Sequence, residues 1–316
     1  MRFESRTFML PKDPEHPGQC QDACQVDAAR GVAVIADGVS SAIFSAQWAN
    51  VLVEAVIDGA PDPTNPAAFA AWLARQRQAW TQRIDSSTLA WHQRAKLPMG
   101  AFSTLLWVEV AETGHDEPGA FGAYGLRGFA IGDSCLFHVR RGELVRSFPL
   151  ETAAEFQADP IVLGSIDLKR DHLMRFTTLN ELCYPDDLLI LCTDALAEWA
   201  LKLHEAGGQP DWDRCRGMAE ADWQAQIAEL RRLRHIRYDD TTLVLLRVLA
   251  PTEAGASGGP PPAGGQWNVE DWSKKAKAVS EQVAEQIDQV SGQVVRGLMK
   301  FKDKAMKKYR DKFGPK

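Results

Sequence analysis

Carboxylate side chains stand repeatedly beside or at the tips of apolar, strand-like runs in this chain, and this pattern limits the folds that the chain can adopt. In the clearest case, the run Gly31 to Ala36 is uncharged and rich in β-branched residues, which predicts a short buried strand that Asp37-Gly38 ends. An isolated charge among apolar residues is costly, so each such carboxylate needs a partner. The aspartates in this setting are Asp22, Asp37, Asp133, Asp194 and Asp239.

Two explanations compete for the Asp37-Gly38 pair. Asp-Gly is a common turn dipeptide, and for this stretch by itself a turn is the simpler interpretation. The recurrence of the pattern at several strand ends favours the second explanation, in which the carboxylates converge on cations. Because these segments supply oxygen ligands without accompanying His or Cys, Mg²⁺ or Mn²⁺ is expected rather than Zn²⁺, and so many carboxylates imply more than one ion.

The composition excludes several other classes of protein. Of the 316 residues, 45% are hydrophobic and 25% are charged, as in an ordinary globular protein, and the net charge of −6 argues against nucleic-acid binding by the protein as a whole. The first ten residues carry charges and no apolar core, so they do not resemble a signal peptide, and no apolar run is long enough to cross a bilayer. The cysteines form no CxxC pair, which predicts buried free thiols in a reducing cytoplasm.

Three segments of different composition divide the chain. Residues 1–250 form an acidic body, residues 251–266 form a linker rich in Pro, Gly and Ala, and residues 267–316 form a basic tail. The tail contains twelve Lys or Arg and seven Asp or Glu, a net charge of +5, which leaves −11 for the rest of the chain. We therefore expect a globular domain joined by a flexible tether to a segment of opposite charge.

The tail has the pattern of an amphipathic helix. Its apolar residues follow steps of three and four in an eleven-residue repeat, which keeps them on one face of a long helix. Their positions are 276, 279, 283, 287, 290, 294, 298, 301 and 305. A tethered basic helix of this kind suits an anionic membrane surface, a partner protein or the acidic body itself, and a solvated, disordered tail is the remaining alternative.

The hydrophobic pattern of the body predicts both strands and helices. Two strands joined by a turn are predicted within residues 22–37, and helices are predicted over residues 44–59, 65–84 and 218–234. Hairpin-connected strands with helices grouped between them favour an antiparallel α+β layered domain over a strictly alternating βαβ sheet. The tryptophans expected to pack between helices and sheet are Trp72, Trp80 and Trp91.

In order and spacing, these segments resemble the metal-dependent protein phosphatases of the type 2C family, and the resemblance covers about residues 1–250. The early acidic pair of the family resembles Gln21-Asp22, and further segments follow in the family's order. They are "ADGVSS", the small-residue strand "GAFSTLL", "AIGDSCLFHVRRGEL", "LCTDALAEW" and "YDDTTLVLL". The resemblance to bacterial-type members implies an α+β fold, a layered α-β-β-α sandwich with two central antiparallel sheets flanked by helices.

The resemblance also implies a set of catalytic metal ligands. Asp37 would bridge two Mn²⁺ or Mg²⁺ ions, and the Gly38 carbonyl would add a further ligand. Asp194 and Asp239 would complete the first ion. Asp22 would hold water on the second ion.

Two further assignments and a reaction follow from the same resemblance. A third, weaker metal position matches Asp133 and Glu198, and adjacent Asp240 is an alternative to Asp239 as a ligand. The two tightly bound ions would lower the pKa of a bridging water, and the resulting hydroxide would attack a phosphomonoester in line. The implied enzyme is a protein-serine/threonine phosphatase (hydrolase) in signalling, with a phosphoprotein as its substrate and a kinase opposing it.

The chain departs from the family at positions that contact substrate. The family's phosphate-gripping Arg before the acidic pair is missing from "PEHPGQCQD", where His16 is the only cation and is expected to be a surface residue. Val39-Ser40-Ser41 replaces the Gly-His that often follows the Asp-Gly turn, and Ala195 replaces the Gly of the "SDG" segment. Two functions stay open: an active phosphatase, which the retained carboxylates favour, and a weakly active or inactive adaptor that binds a partner protein.

Overall fold

The computed structural model describes residues 2–112, 123–167 and 176–250, and these residues form strands and helices in mixed order. The strands are β1 (Phe3–Leu10), β2 (Asp22–Asp27), β3 (Val32–Asp37), β4 (Phe102–Ser103), β5 (Leu105–Glu112), β6 (Tyr124–Ile131), β7 (Cys135–Arg140), β8 (Glu143–Phe148), β9 (Leu163–Gly164), β10 (Thr177–Cys183), β11 (Leu188–Cys192) and β12 (Thr241–Val248). The α-helices are α1 (Ser45–Gly59), α2 (Pro66–Arg83), α3 (Trp91–Lys96), α4 (Asp194–Glu205), α5 (Trp212–Gly217) and α6 (Glu220–Arg232). The predicted linker, 251–266, and the basic tail, 267–316, lie outside the described residues.

The longer strands of the described part of the chain form two five-stranded antiparallel sheets. The first sheet has the strand order β1-β12-β11-β7-β8, and the second has the order β10-β6-β5-β3-β2. Helices α4, α5 and α6 pack on the outer face of the first sheet, and α1 and α2 pack on the outer face of the second. A third apolar cluster fills the space between the sheets, so the predicted α-β-β-α sandwich is confirmed.

Burial on both faces explains why the central strands read as continuous apolar runs. In β12, Leu243 and Leu245 pack toward the helices, whereas Val244 and Leu246 pack toward the second sheet. A strand with both faces covered has no position for an unpaired charge, since successive side chains point to opposite faces. The aspartates singled out by the sequence accordingly lie at or beyond the ends of strands.

The helix predictions hold in most places. Helix α1 ends at Gly59 as expected, and the Asn65 side chain caps α2 by accepting a hydrogen bond from the Ala68 N–H at 3.2 Å. Trp72 and Trp80 are buried, but the prediction for Trp91 is wrong, because it begins the short helix α3, which buries no residue, and is 83% exposed. Among the described residues, no helix has the length and apolar character needed to cross a bilayer.

Candidate metal centre

The predicted aspartates come from separate elements and meet at one end of the space between the two sheets. Asp22 begins β2 and Asp37 ends β3, and the two are direct partners across this antiparallel pair. Asp133 lies in the turn between β6 and β7, Asp194 begins α4, and Asp239 precedes β12. Burial raises the pKa of Asp37 well above its ordinary value, and the negative charges of the other four aspartates raise it further. The structure thus places all five within electrostatic reach of one carboxylate.

Asp22 is buried and only half satisfied. Its Oδ2 accepts hydrogen bonds from the hydroxyls of Thr242 at 2.7 Å and Thr193 at 3.1 Å, both on the first sheet's side of the interior. Its Oδ1 is buried and has no hydrogen-bond partner among the described residues. Burial raises the pKa of Asp22 to about 8, despite the opposing effect of the Thr242 hydrogen bond, and the negative charges of Asp240 and Asp194 add to the rise. This oxygen is placed for a ligand that the protein itself does not supply.

The backbone at Asp37 is fixed by the small-residue strand that follows α3. The Asp37 carbonyl accepts hydrogen bonds from the Thr104 N–H at 2.8 Å and from the Ser103 hydroxyl at 2.9 Å, and the Asp37 N–H donates to Thr104 Oγ1 at 3.0 Å. A Cβ on Gly38 would lie 2.8 Å from the Gln21 carbonyl oxygen and 2.9 Å from Ser45, so only glycine fits there. The Asp37 carboxylate is therefore held by its main chain alone, and no described side chain donates to it.

Arg237 pairs with Glu198, one of the two residues matched to a third ion, and with Asp194. Its Nε donates to Glu198 Oε2 at 2.6 Å, and its Nη1 donates to Asp194 Oδ2 at 2.8 Å. Burial raises the pKa of Asp194 to about 6, and the charge of Asp133 adds to the rise while Arg237 opposes it. The pKa of Glu198 is lowered instead. Burial acts to raise this pKa, but hydrogen bonds from Arg237 and Lys202 outweigh the effect of burial.

Lys12 contacts the opposite side of the cluster, a position that no sequence motif indicates. Its Nζ lies 2.7 Å from Ser40 Oγ, 3.0 Å from Gln21 Oε1 and 3.4 Å from Asp239 Oδ1. His16, which the sequence predicts to be a surface residue, is exposed and bonded to Asp13. Lys12 follows the end of β1 in an irregular segment that carries no motif, so only the fold reveals its position.

Asp239 and Asp240 differ in their surroundings. Asp240 is buried, and its two carboxylate oxygens accept the backbone N–H groups of Lys12 at 2.7 Å and Gln21 at 2.8 Å. Asp240 therefore links the segments that contain Lys12 and Gln21 to the start of β12 through these hydrogen bonds. The Asp239 side chain is 42% exposed, and its charge acts on both Asp37 and Asp194.

The donor set around Asp22 and Asp37 fits hard divalent cations. It offers carboxylate oxygens, one of them buried without a partner, and no Lys, Arg or His of the described ranges forms an ion pair with either residue. In the same ranges, no three His, Cys, Asp or Glu side chains lie close enough together to bind one ion as they stand. The aspartates thus lie near one another without forming a complete metal site, and Mg²⁺ commonly keeps several waters where the protein supplies few ligands.

Comparison with known proteins adds one family and several similar folds. The family model described as Protein phosphatase 2C matches residues 16–248. No curated protein sequence gives a significant match to the chain. One similar structure is PppA, described as a key regulatory component of T6SS in Pseudomonas aeruginosa, with 16% sequence identity and a TM-score of 0.50. The match covers 79% of this chain and 99% of PppA. The photosystem II phosphatase PBCP is also 16% identical with a TM-score of 0.50, over 79% of this chain and 100% of that one.

Proposed function

The chain belongs to the protein phosphatase 2C family, and we propose that it is a metal-dependent phosphatase that hydrolyses phosphoserine and phosphothreonine on proteins. The proposal includes an opposing kinase that phosphorylates the same substrates. It places the enzyme in the cytoplasm, with the basic tail as a docking segment for an anionic membrane surface or a partner protein.

One observation supports this proposal above the others. Buried Asp22 and half-buried Asp37 lie side by side, and the described residues form no ion pair with either of them. Keeping a buried carboxylate and a half-buried one ionised side by side costs several kcal/mol unless an ion offsets their charge. Such an arrangement is expected in a protein whose folded state includes bound cations.

We assign two Mn²⁺ or Mg²⁺ ions to Asp22, Asp37, the Gly38 carbonyl, Asp194 and Asp239. When bound, such ions supply a water that is nucleophilic near neutral pH and offset the charge of the phosphoryl oxygens. Asp239 is preferred to Asp240 as a ligand, because both oxygens of Asp240 already bind backbone N–H groups.

The surrounding residues of the chain position this ligand set. Thr193 and Thr242 fix the orientation of Asp22 through its Oδ2 and leave Oδ1 free to bind. Ser103 and Thr104 fix the main chain of Asp37. Pre-organisation of this kind matters because a displacement of about 1 Å in a catalytic group is costly to the rate.

We further propose that Lys12 and Ser40 bind the phosphate group of the substrate. Lys12 lies beside Asp239 and is 30% exposed, so its ammonium group can reach both the aspartate cluster and solvent. It supplies positive charge near the acidic pair, where the expected Arg is missing from the sequence. A lysine serves this purpose as a point charge, without the bidentate geometry of an arginine.

The ion pairs that Lys12 and Arg237 form with the aspartate cluster favour a second candidate function. Lys12 and Arg237 already neutralise part of the carboxylate cluster from within the chain. A protein whose carboxylates are partly neutralised in this way needs metal less for its stability. Such a protein would serve as a weakly active or inactive adaptor that binds a partner protein through this fold.

Hydrolysis assays separate the two candidates. The full-length protein is incubated with p-nitrophenyl phosphate and with a phosphothreonine peptide, with Mn²⁺ and then with EDTA. The phosphatase proposal predicts turnover of both substrates that requires Mn²⁺ and stops with EDTA. Absence of turnover at saturating Mn²⁺, in a protein shown to be folded, would favour the adaptor.

A further inference from the structure

We propose that the Arg237 guanidinium, paired with Asp194 and Glu198, takes the place of the third divalent cation expected at Asp133 and Glu198, so that this chain binds two ions rather than three. The inference rests on the proposed metal-dependent function. In this inference, the positive charge of a side chain replaces the charge of a bound ion.

The geometry leaves little room for an ion at this position. Arg237 spans the two carboxylates, with Nε 2.6 Å from Glu198 Oε2 and Nη1 2.8 Å from Asp194 Oδ2. The planar, forked guanidinium matches carboxylate oxygens in this way better than any other side chain. A metal ion at about 2.0–2.6 Å from the same oxygens would overlap the guanidinium nitrogens.

The other oxygens of the two carboxylates are also engaged. Glu198 Oε1 accepts hydrogen bonds from Lys202 Nζ at 2.9 Å and Gln157 Nε2 at 3.4 Å, and Asp194 Oδ1 accepts the Ala195 N–H at 2.6 Å. A divalent ion here would displace at least one donor and would face two positive side chains. Asp194 keeps unused lone pairs on the side away from Arg237, so it can still bind one ion of the proposed pair.

Charge balance separates this part of the cluster from the rest. Asp194 and Glu198 bring two negative charges, and Arg237 and Lys202 bring two positive ones. By contrast, Asp22 and Asp37 have no ion-pair partner in the described part of the chain. The demand for external cations is therefore concentrated on the Asp22 and Asp37 side.

The local fold holds Arg237 in this position. It lies in the segment between α6 and β12, close to Asp239, and buried Ile236 anchors this segment in the core beneath the helices. The Arg237 guanidinium also lies 5.8 Å from the centre of the Phe156 ring. Arg237 thus acts as a positioning residue for Asp194, since its own contacts are with the carboxylates.

Counting bound Mn²⁺ tests the inference without relying on activity. The full-length wild type, Arg237→Gln and Arg237→Lys are titrated with Mn²⁺, and free Mn²⁺ is measured by electron paramagnetic resonance. We expect two ions per chain for the wild type and for Arg237→Lys, which keeps the positive charge. Arg237→Gln is expected to gain a third, weaker site, and adding Glu198→Gln to this variant should remove that site.

Arg232→Gln serves as the matched control, because Arg232 forms an exposed pair with Glu229 on α6, and it should bind two ions. Circular dichroism confirms that each variant is folded. Three ions on the wild type, or no additional site in Arg237→Gln, would overturn the inference and leave the proposed function standing. A wild type that binds no Mn²⁺ would instead overturn the proposed function on which the inference rests.

Discussion

Strand register places the buried carboxylate of Asp22 beside the half-buried carboxylate of Asp37. The two residues are direct partners across β2 and β3, and directly opposite residues project from the same face of a sheet. That face is the space between the two sheets, where neighbouring residues of both strands are apolar. The two adjacent carboxylates therefore destabilise the metal-free protein at this position, and a bound cation would offset this destabilisation.

Replacing Asp22 should show how far this residue destabilises the metal-free protein. In EDTA at neutral pH, Asp22→Asn is expected to raise the free energy of unfolding by about 1–3 kcal/mol, because the Asp22 carboxyl, whose pKa burial raises to about 8, must take up a proton on folding, whereas Asn needs none and keeps an acceptor for Thr193 and Thr242. The same variant should lose most of the stabilisation that Mn²⁺ gives the wild type, since stabilisation by a ligand scales with its affinity. Thermal unfolding with and without Mn²⁺ measures both effects.

The control for this experiment is Asp58→Asn. Asp58 is an exposed residue near the end of α1, and its variant should match the wild type in EDTA and in Mn²⁺. If Asp22→Asn destabilises the metal-free protein, or responds to Mn²⁺ like the wild type, Asp22 is not an uncompensated metal ligand.

Lys12 should affect substrate binding more than turnover. Lys12→Met is expected to raise KM for a phosphomonoester about tenfold, with a smaller change in kcat, because a charge-assisted contact to phosphate contributes about 1–2 kcal/mol. Inorganic phosphate should become a weaker competitive inhibitor by a similar factor. Steady-state kinetics on p-nitrophenyl phosphate provide both constants.

A purely structural role for Lys12 would give a different pattern. Loss of its contacts with Gln21, Ser40 and Asp239 would then lower kcat or stability and leave phosphate inhibition unchanged. Lys96→Met, on the exposed helix α3, is the matched control and should leave both constants unchanged.

A buried histidine joins the two sheets and should make stability depend on pH. His138 of β7 is fully buried, with Nε2 2.8 Å from Asp187 Oδ2 and Nδ1 3.1 Å from Glu181 Oε1 of β10. Burial lowers the pKa of His138, but the hydrogen bonds with Asp187 and Glu181 outweigh it and raise the pKa above 6.5. Burial raises the pKa of Asp187, but hydrogen bonds with His138 and Arg140 lower it to about 2.

The signs define a pH window. A raised histidine pKa contributes stability that is complete below about pH 6.5 and is lost as the pH rises through the folded value. The lowered pKa of Asp187 contributes stability that is complete above about pH 4 and is lost as the pH falls toward 2. The wild type should therefore exceed His138→Gln in unfolding free energy by about 2 kcal/mol at pH 5.5 and by clearly less at pH 8.5.

Denaturant unfolding of both proteins across this range measures the difference. Contributions from the distant aspartate cluster cancel in the comparison, since independent sites are additive. His92→Gln, at an exposed histidine, controls for the loss of an imidazole. A difference that is constant with pH would show that folding does not shift the pKa of His138, and a difference that grows with pH would show that His138 is neutral in the folded protein.

The basic tail should act in docking and leave the chemistry unaffected. Deletion of residues 267–316 is expected to preserve the rate on p-nitrophenyl phosphate and to reduce binding to vesicles containing phosphatidylserine. Binding by the intact protein should weaken with salt, since charges are screened over about 10 Å at 0.1 M. A larger rate gain on a phosphoprotein than on the small ester would indicate instead that the tail covers the site, and no change in rate or binding would support a disordered tail.

The sequence predicts the layers and strand ends of this fold well, because both follow from local pattern. Apolar runs such as Gly31 to Ala36 are buried on both faces, so a carboxylate that follows such a run must lie at the end of the strand. The order of the segments then identifies the family. Asp22 and Asp37 are partners because a tight turn fixes the register of β2 and β3.

The cations around the cluster are not predictable in the same way. Lys12 and Arg237 lie in irregular segments, and they reach the aspartates only because strands far apart in sequence meet in one sheet. Trp91 fails for a related reason: its apolar character predicts burial, but the short helix α3 presents it to solvent. Contacts of loops depend on the complete fold rather than on local periodicity.

Hydrolysis of a phosphothreonine peptide by wild type, Asp37→Asn and Asp58→Asn at saturating Mn²⁺ tests the central claim most directly. Asp37→Asn should lower the rate by about a hundredfold or more while leaving the circular dichroism spectrum unchanged, because its carboxylate lies at the end of β3 outside the core and is assigned to both ions. Asp58→Asn should retain the wild-type rate. Equal rates for Asp37→Asn and the wild type, or a wild-type rate that EDTA does not reduce, would contradict the assignment of a metal-dependent phosphatase.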